Sequence, residues 1–231
     1  MNLFIASVVN NKGILTKDES WHCTKVLRKK KGDHIRLIDG NGNFFNGVLD
    51  IVSEKQCLVI ITEGPFNQIK HNYYLHLAIA PTKQIDRIEW MIEKGVEIGV
   101  DEISFIQSTN SERTTIKIDR IIKIVESAVK QSLQAFIPKV NEIINLNSFL
   151  IKSNADQKFI AHCHEDSKLN IRQIDFKQKN TIVLIGPEGD FSKLEIELAG
   201  QHNYQSLSLG TNRLRTETAG LFICQAASLL T

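Results

Sequence analysis

A chain of 231 residues can bury a sizeable core, and its content of 42% hydrophobic and 23% charged residues is typical of a globular protein. No apolar run reaches the roughly 18 residues that a membrane-spanning helix needs, and MNLFIASVVN lacks the residue order of a signal peptide. Four scattered cysteines without a CxxC pair predict a reduced, cytoplasmic protein without disulfides.

Charge is distributed unevenly along the chain. Residues 1–72 carry 10 Lys/Arg against 7 Asp/Glu, a net +3, whereas residues 73–231 carry 18 against 19, a net −1. The basic run KVLRKKKGDHIR, residues 25–36, stands out in the first part. The asymmetry is consistent with a polyanion-binding module followed by a neutral one, or with a solvated rim, and charge alone favours neither.

Short β-rich runs dominate the first 72 residues, separated by Gly, Asn and Asp turn signals such as DGNGN at 39–43. The predicted strands are LFIASVV, HIRLID, NFFNGVLDI and QCLVIIT. One helical segment, DESWHCTKVLR, lies between the first two. This pattern predicts a small β-barrel or sandwich.

Strands and helices alternate from Tyr73 to the end of the chain. The predicted strands are YLHLAIA, EISFIQ, KFIAH, TIVLIG and SLSLG, and the predicted helices cover residues 83–99, 118–136, 192–200 and 215–229. Such alternation predicts an α/β domain with a mostly parallel sheet over residues 73–231.

Two loops follow predicted strands, at the edge where open α/β sheets bind ligands. In IGPEGDFSKLE, two glycines would let a ligand approach the backbone, and S-x-x-E predicts a capped helix start. This loop matches neither GxGxxG nor a Lys-containing phosphate loop. The second loop, LGTNRLRTETA, precedes a helix without charged residues after Glu217. A structural turn is the simpler interpretation of either loop taken separately.

Together and in this order, the motifs resemble those of SPOUT-class RNA methyltransferases. The likeness is to the RsmE-like family, bacterial enzymes that methylate N3 of a uridine in 16S ribosomal RNA. It rests on IGPEGDFS, LSLGTNRLRTETA, KGVEIGVDEISFIQSTNSER and HCTKVLRKKKGD, and it covers essentially the whole chain. Two positions depart from the family pattern. Asp190 stands where a second glycine is common and is expected to narrow backbone freedom, and AVKQSLQAF lacks the arginine that often follows its Gln-Ser.

The resemblance implies an N-terminal, PUA-like β-barrel that binds RNA, residues 1–72, and a SPOUT methyltransferase domain with a C-terminal trefoil knot, residues 73–231. It implies S-adenosylmethionine as cofactor, no metal, and 16S ribosomal RNA or the small ribosomal subunit as substrate. It also implies a homodimer in which the apolar C-terminal helices pair.

The resemblance further implies site residues. Arg213 and Arg215 are the candidate catalytic cations, and Arg215 is favoured because it occupies the family's Arg-Thr-Glu-Thr position. An ion pair with Glu217 or a phosphate contact is the alternative role of Arg215. Arg28, Lys29 and Lys30 are expected to bind RNA. Arg113 is expected to contact RNA or close the active site, unless it forms a surface salt bridge. The expected cofactor-binding residues are His162, Ile185, Gly186, Pro187, Glu188, Gly189, Leu209, Gly210, Leu214, Arg215, Thr216 and Thr218.

Three other interpretations agree less well with the sequence. His162 and His164 lie on one face of a strand, but a metal site needs three or four ligands and no second pair has suitable spacing. A catalytically inactive RNA-binding module would not need the two loops. A SPOUT enzyme that methylates tRNA or a ribose hydroxyl would not explain the N-terminal match.

Overall fold

The computed structural model describes residues 3–165 and 167–231. Within these ranges the chain divides into two compact units, one comprising residues 3–70 and 129–137 and the other the described residues of 71–128 and 138–231. Inclusion of the segment 129–137 in the first unit was not anticipated from the sequence. A domain boundary at residue 72 stays a prediction.

The first unit contains a closed five-stranded barrel with strand order β1-β2-β5-β4-β3, in which β1 and β3 pair in parallel. This confirms the β-barrel prediction. The strands are β1 Leu3–Val9, β2 Lys12–Leu15, β3 His34–Ile38, β4 Asn43–Ile51 and β5 Leu58–Asn67. Strand β2 was not predicted because it is short and contains Gly13. A Cβ atom there would lie 2.5 Å from Leu37 Cδ1, so packing requires the glycine.

The predicted helical segment of this unit is α1, Lys17–Trp21, continued by a π-helical turn at His22–Val26. Thr16 caps α1, since its hydroxyl accepts a hydrogen bond from Glu19 N. The segment ends at Arg28, whose φ of +53° cannot continue a helix. Its end therefore places the basic run at the surface.

The second unit is built on a seven-stranded sheet in which every described pairing is parallel. This confirms the α/β prediction. In spatial order the strands are β10 Leu169–Asn170, β12 Gln205–Ser208, β9 Gln157–Ala161, β11 Asn180–Ile185, β6 Tyr74–Ile79, β7 Glu102–Gln107 and β8 Lys139–Asn145. Strands β8 and β10 were not predicted, because β8 is a largely polar edge strand and β10 has two residues.

Helices pack against this sheet. They are α2 Ile85–Ile98, α3 Ile118–Gln131, α4 Leu146–Lys152, α5 Lys193–Gln201 and α6 Thr216–Leu229. Helix α4 packs on β7 and β8, α5 on β12, and α6 on β6 and β11. Helix α3 is shorter than predicted because Leu133 adopts a left-handed φ of +55°. Helix α4 was missed. No helix in the described ranges has the length and apolar content to cross a bilayer.

The apolar C-terminal segment is the buried helix α6, which packs against α2. Ile223 and Cys224 are almost fully buried, and Gly220 allows a close approach to Met91, whose Sδ lies 3.1 Å from the ideal Cβ position. Burial of α6 explains why residues 218–231 carry no charged side chain. The trefoil knot stays a prediction.

Candidate active site

A cavity of about 450 Å³ opens at the carboxyl ends of β9, β11 and β12. This volume is within the range of small-molecule sites. All but two of the predicted cofactor-binding residues line it, namely His162, Ile185, Gly186, Pro187, Glu188, Leu209, Gly210, Leu214, Arg215 and Thr216. The exceptions are Gly189, which faces the side chain of Asn110, and Thr218, which is exposed on α6.

The first wall is the loop after β11, held against the start of α6. The hydroxyl of Thr216 donates a buried hydrogen bond of 2.9 Å to Gly186 O. A Cβ at Gly186 would lie 3.1 Å from the ring of Phe191, so a larger residue at this point would press against that ring. The predicted capping box is present, with Ser192 N donating to Glu195 Oε2 at 2.8 Å.

The second wall is the loop between β12 and α6. Gly210 has a φ of +140°, and an added Cβ would meet no atom within 4 Å, so a side chain there would enter open space. Arg213 is held back to the first wall because its Nη2 donates to Glu188 O at 3.3 Å. Glu188 Oε1 in turn accepts a hydrogen bond from Lys83 N at 3.0 Å.

Arg215 lies exposed at the start of α6 and lines the cavity. Its guanidinium forms no hydrogen bond or ion pair with any residue that the structure describes. The alternative of an ion pair with Glu217 is wrong, since that buried carboxylate faces Arg87 at 3.8 Å. Arg215 is therefore a cation held at the cavity without a protein partner among those residues.

The third wall follows β9, where the sequence places the third side of the pocket at residues 161–164, and it also contributes Lys168, which the sequence did not indicate. His162 is buried and its Nε2 forms a 3.0 Å hydrogen bond with Ser206 Oγ. Lys168 Nζ donates to His162 O at 2.7 Å, so its ammonium lies at the cavity. No motif surrounds Lys168, so sequence offered no signal for it. Of the other lining residues, Ala161, Cys163, Thr211, Asn212 and Arg213 lie in the loops 161–164 and 209–216 that the sequence assigns to the pocket. Asp190, Leu207, Ser208 and Ala219 lie outside those loops.

Arg113 lies close to these loops, but its guanidinium is bound to backbone. Its Nε donates to Thr82 O at 3.1 Å and its Nη2 to Lys83 O at 2.8 Å. The surface salt bridge considered as an alternative is not formed among the described residues. These bonds give Arg113 a role in holding the loop after β6, whereas RNA contact stays a prediction.

The basic run of the first unit divides into paired and unpaired side chains. Lys25 forms an ion pair of 2.7 Å with Glu54, and Lys31 one of 2.8 Å with Asp50. The side chains of Arg28, Lys29 and Lys30 form no ion pair within the described ranges. These three positive charges are therefore available to a polyanion.

Metal ligands do not cluster in the described residues, where no group of three or more His, Cys, Asp or Glu could hold an ion. The rings of His162 and His164 are 5.9 Å apart, and His164 Nε2 forms a 2.8 Å hydrogen bond with Phe191 O. The two histidines therefore have structural partners.

Two family models match the chain, one for each part. The RNA methyltransferase domain matches residues 70–228, and the RNA methyltransferase PUA domain matches residues 15–62. Among curated proteins, the chain is 31% identical over 228 residues to ribosomal RNA small subunit methyltransferase E of Rickettsia conorii, covering 96% of this chain and 91% of that protein. It is 39% identical over 163 residues to the protein of the same name from Mesomycoplasma hyopneumoniae, covering 68% and 69%.

Solved structures are similar over nearly the full length. A probable rRNA-methyltransferase from Porphyromonas gingivalis has a TM-score of 0.86 at 41% identity, covering 97% of this chain and 96% of that one. A ribosomal RNA small subunit methyltransferase E from Neisseria gonorrhoeae, bound to S-adenosyl methionine, has a TM-score of 0.85 at 26% identity, covering 98% and 96%.

Proposed function

We propose that this chain, which belongs to the family of ribosomal RNA small subunit methyltransferases E, transfers a methyl group from S-adenosylmethionine to N3 of a uridine in 16S ribosomal RNA. The observation that carries the proposal is one cavity that joins both motif loops and presents the unpartnered guanidinium of Arg215. An inactive RNA-binding module would need neither feature.

The residues of the cavity suit S-adenosylmethionine. Leu209 and Leu214 offer apolar surface to a flat base, and the two loops offer backbone groups for its polar edges. Lys168 offers an ammonium to the carboxylate of the methionine portion. When bound, the cofactor supplies a methyl group already activated on sulfur, so the protein mainly binds and orients the reactants.

The chemical task of the protein is to make uridine N3 nucleophilic. N3 is a weakly acidic imide, and its proton must leave before or during methyl transfer. A guanidinium beside the base favours the anion and stabilises the charge that spreads onto the flanking carbonyl oxygens. Arg215 is positioned for this role because no described carboxylate neutralises it.

The barrel unit is suited to hold the RNA. Arg28, Lys29 and Lys30 can each contact a phosphate, since their charges are not taken up by neighbouring carboxylates of the described chain. Phosphate contacts position a nucleic acid without reading its sequence. We therefore propose that the barrel supplies affinity and the cavity selects the base.

A homodimer is the proposed assembly. Helix α6 exposes Phe222 and Leu229 beside a groove of about 410 Å³ that Ile171, Ala226 and Leu230 also line. Large apolar side chains clustered on one surface are typical of an interface, and two-fold pairing would bury the same groove twice. An enzyme that acts on ribosomal RNA is expected in the cytoplasm.

The test compares the substrate forms directly. The purified protein is incubated with labelled S-adenosylmethionine and either naked 16S ribosomal RNA or assembled small subunits that lack the modification, and nucleosides are identified by mass spectrometry. We expect 3-methyluridine as the product. Methyl groups on a ribose hydroxyl, or methylation of neither substrate while tRNA is methylated in a parallel incubation, would overturn the assignment.

A further inference from the structure

We infer that Asp190 is a positioning residue of the cofactor site, because its carboxylate joins the loop after β11 to the loop after β9. The inference rests on the proposed function, since it concerns the same cavity. It adds a role for a residue that the family pattern does not predict, at a position where a glycine is common.

The backbone of Asp190 explains why a glycine would suit this position. Its φ is +63°, in the left-handed region that most side chains disfavour. Asp and Asn tolerate that region best, since their short polar side chains can bond to nearby backbone groups. Asp190 does so, as its Oδ1 accepts a hydrogen bond from Phe191 N at 2.9 Å.

The second carboxylate oxygen bridges two walls of the cavity. Asp190 Oδ2 accepts a 2.7 Å hydrogen bond from Cys163 N, in the loop after β9. Both bonds to this carboxylate have an ionised acceptor and so belong to the stronger class. Next to it, His164 Nε2 forms a 2.8 Å bond with Phe191 O. Glycine could adopt the same backbone conformation but would leave Cys163 N without this acceptor.

The segment that carries Asp190 is also held from the opposite side. Asn110 Nδ2 donates to Gly189 O at 3.1 Å and to Asp190 O at 3.0 Å. Thr109 N, one residue earlier, donates to Glu195 Oε1 at 2.7 Å. Residues 189–190 therefore cannot shift without breaking bonds to the loop after β7, which makes them a firm support for the third wall.

The hydrogen bond between Cys163 N and Asp190 affects cofactor binding because the third wall also carries Lys168. Lys168, bonded to His162 O at 2.7 Å, faces the cavity from that loop. A loop already held in its bound conformation loses less conformational entropy when a ligand arrives. Asp190 should therefore raise affinity for the cofactor without touching the reacting atoms.

Binding calorimetry with S-adenosylmethionine on the full-length protein tests the role of the carboxylate. Asp190→Gly keeps the backbone conformation and removes both acceptors, so we expect the Kd to rise about 10-fold, equivalent to ~1.4 kcal/mol. Asp190→Asn keeps one oxygen acceptor, and we expect recovery to within about 3-fold of the wild type. In steady-state assays the loss should appear in KM for the cofactor more than in kcat.

Cys163 provides a second readout that does not depend on activity. It is the exposed cysteine of the four, the others being buried, and it lies at the cavity. Its reaction with a chromogenic disulfide reagent should slow when S-adenosylmethionine is present. In Asp190→Gly, labelling without cofactor should accelerate severalfold, because Cys163 N is no longer held. Cys163→Ser, which leaves the three buried cysteines, should abolish this labelling.

The outcomes separate this inference from the proposed function. If the wild type neither binds S-adenosylmethionine nor shows protection of Cys163, the proposed function itself fails. If the wild type binds and Asp190→Gly binds equally well with unchanged labelling, the cofactor site stands and the positioning role of Asp190 is wrong. Weaker binding by Asp190→Gly, recovered in Asp190→Asn, supports it.

Discussion

Among single substitutions, we expect replacement of Arg215 to lower turnover the most. Loss of a positioned donor that stabilises developing charge typically lowers turnover by ~10²–10³. Arg215→Ala should therefore lower kcat by about that factor while calorimetry shows cofactor affinity largely retained. Arg215→Lys keeps the positive charge but not the planar set of N–H donors, so its kcat should lie between those of the wild type and Arg215→Ala. Normal turnover by Arg215→Ala would move the catalytic role to Arg213 or to the RNA.

Gly210 tests the location of the cofactor pocket. Gly210→Val puts a branched side chain into the open space of the cavity, at a φ of +140° that only glycine adopts without strain. We expect calorimetry to detect little binding of S-adenosylmethionine. Gly200→Val is the matched control, since Gly200 also has open space around it but lies on α5 outside the cavity. Unchanged affinity in Gly210→Val would place the pocket elsewhere.

Residues in motifs were predictable, and residues that act across the fold were not. Gly186, Gly210 and Arg215 lie in loops whose local sequence is distinctive. The bond from Cys163 to Asp190 spans 27 positions and that from Asn110 to Asp190 spans 80, so no local pattern encodes them. Asn110 is part of a segment that the family resemblance had already marked, whereas nothing marked Lys168.

At the scale of elements, strands β6, β7 and β8 share a polar cluster beneath α4. His76 Nε2 lies 2.7 Å from Ser104 Oγ, and Glu102 accepts hydrogen bonds from Tyr74 and Lys139. Burial lowers the pKa of His76 to about 4, against the opposing effect of Glu102. Burial would raise the pKa of Glu102, but its hydrogen bonds with Lys139 and Tyr74 outweigh this and bring it to about 2.

This cluster predicts loss of stability in mild acid. An unfolded histidine takes up its proton near pH 6.5, whereas folded His76 does so only near pH 4. Stability from this group is therefore full above pH 6.5 and falls as the pH drops to about 4, by at most roughly 3 kcal/mol. We expect the free energy of unfolding, measured by urea denaturation at each pH across this range, to depend less steeply on pH in His76→Gln than in the wild type. The exposed His34→Gln is the control, and equal slopes in all three proteins would contradict the assignment.

The basic run at the end of the π-helical turn predicts how RNA binding responds to salt. Each lost phosphate contact reduces the slope of log affinity against log salt by about one, because one fewer counterion is released. Replacing both Arg28 and Lys29 with Gln should weaken RNA binding and flatten this slope, with cofactor affinity unchanged. Lys31→Gln, which removes a charge already paired with Asp50, should change the slope less. Filter binding across a salt series measures both quantities. Unchanged RNA affinity and an unchanged slope in the double variant would show that the basic run is only a solvated rim.

At the scale of the whole molecule, the exposure of each side chain on α6 determines which substitutions can test dimer formation. Sequence alone showed an apolar C-terminal helix but not its orientation, because its apolar residues lie on all sides. Ile223 is fully buried, so a charge there would disturb the fold rather than an interface. Phe222 is 41% exposed and Leu229 71%, and both border the groove on the outer side of the helix.

The dimer prediction therefore rests on Phe222. Light scattering of the wild type at micromolar concentration should give about twice the chain mass of 26.1 kDa. Phe222→Glu should shift the protein toward the monomer with little change in melting temperature, because burying a charge in the paired groove costs far more than exposing it in a monomer. Leu194→Glu is the control, since Leu194 is 76% exposed on α5 and does not line the groove. A monomeric wild type, or a Phe222→Glu variant that stays dimeric, would show that the exposed face of α6 is not the interface.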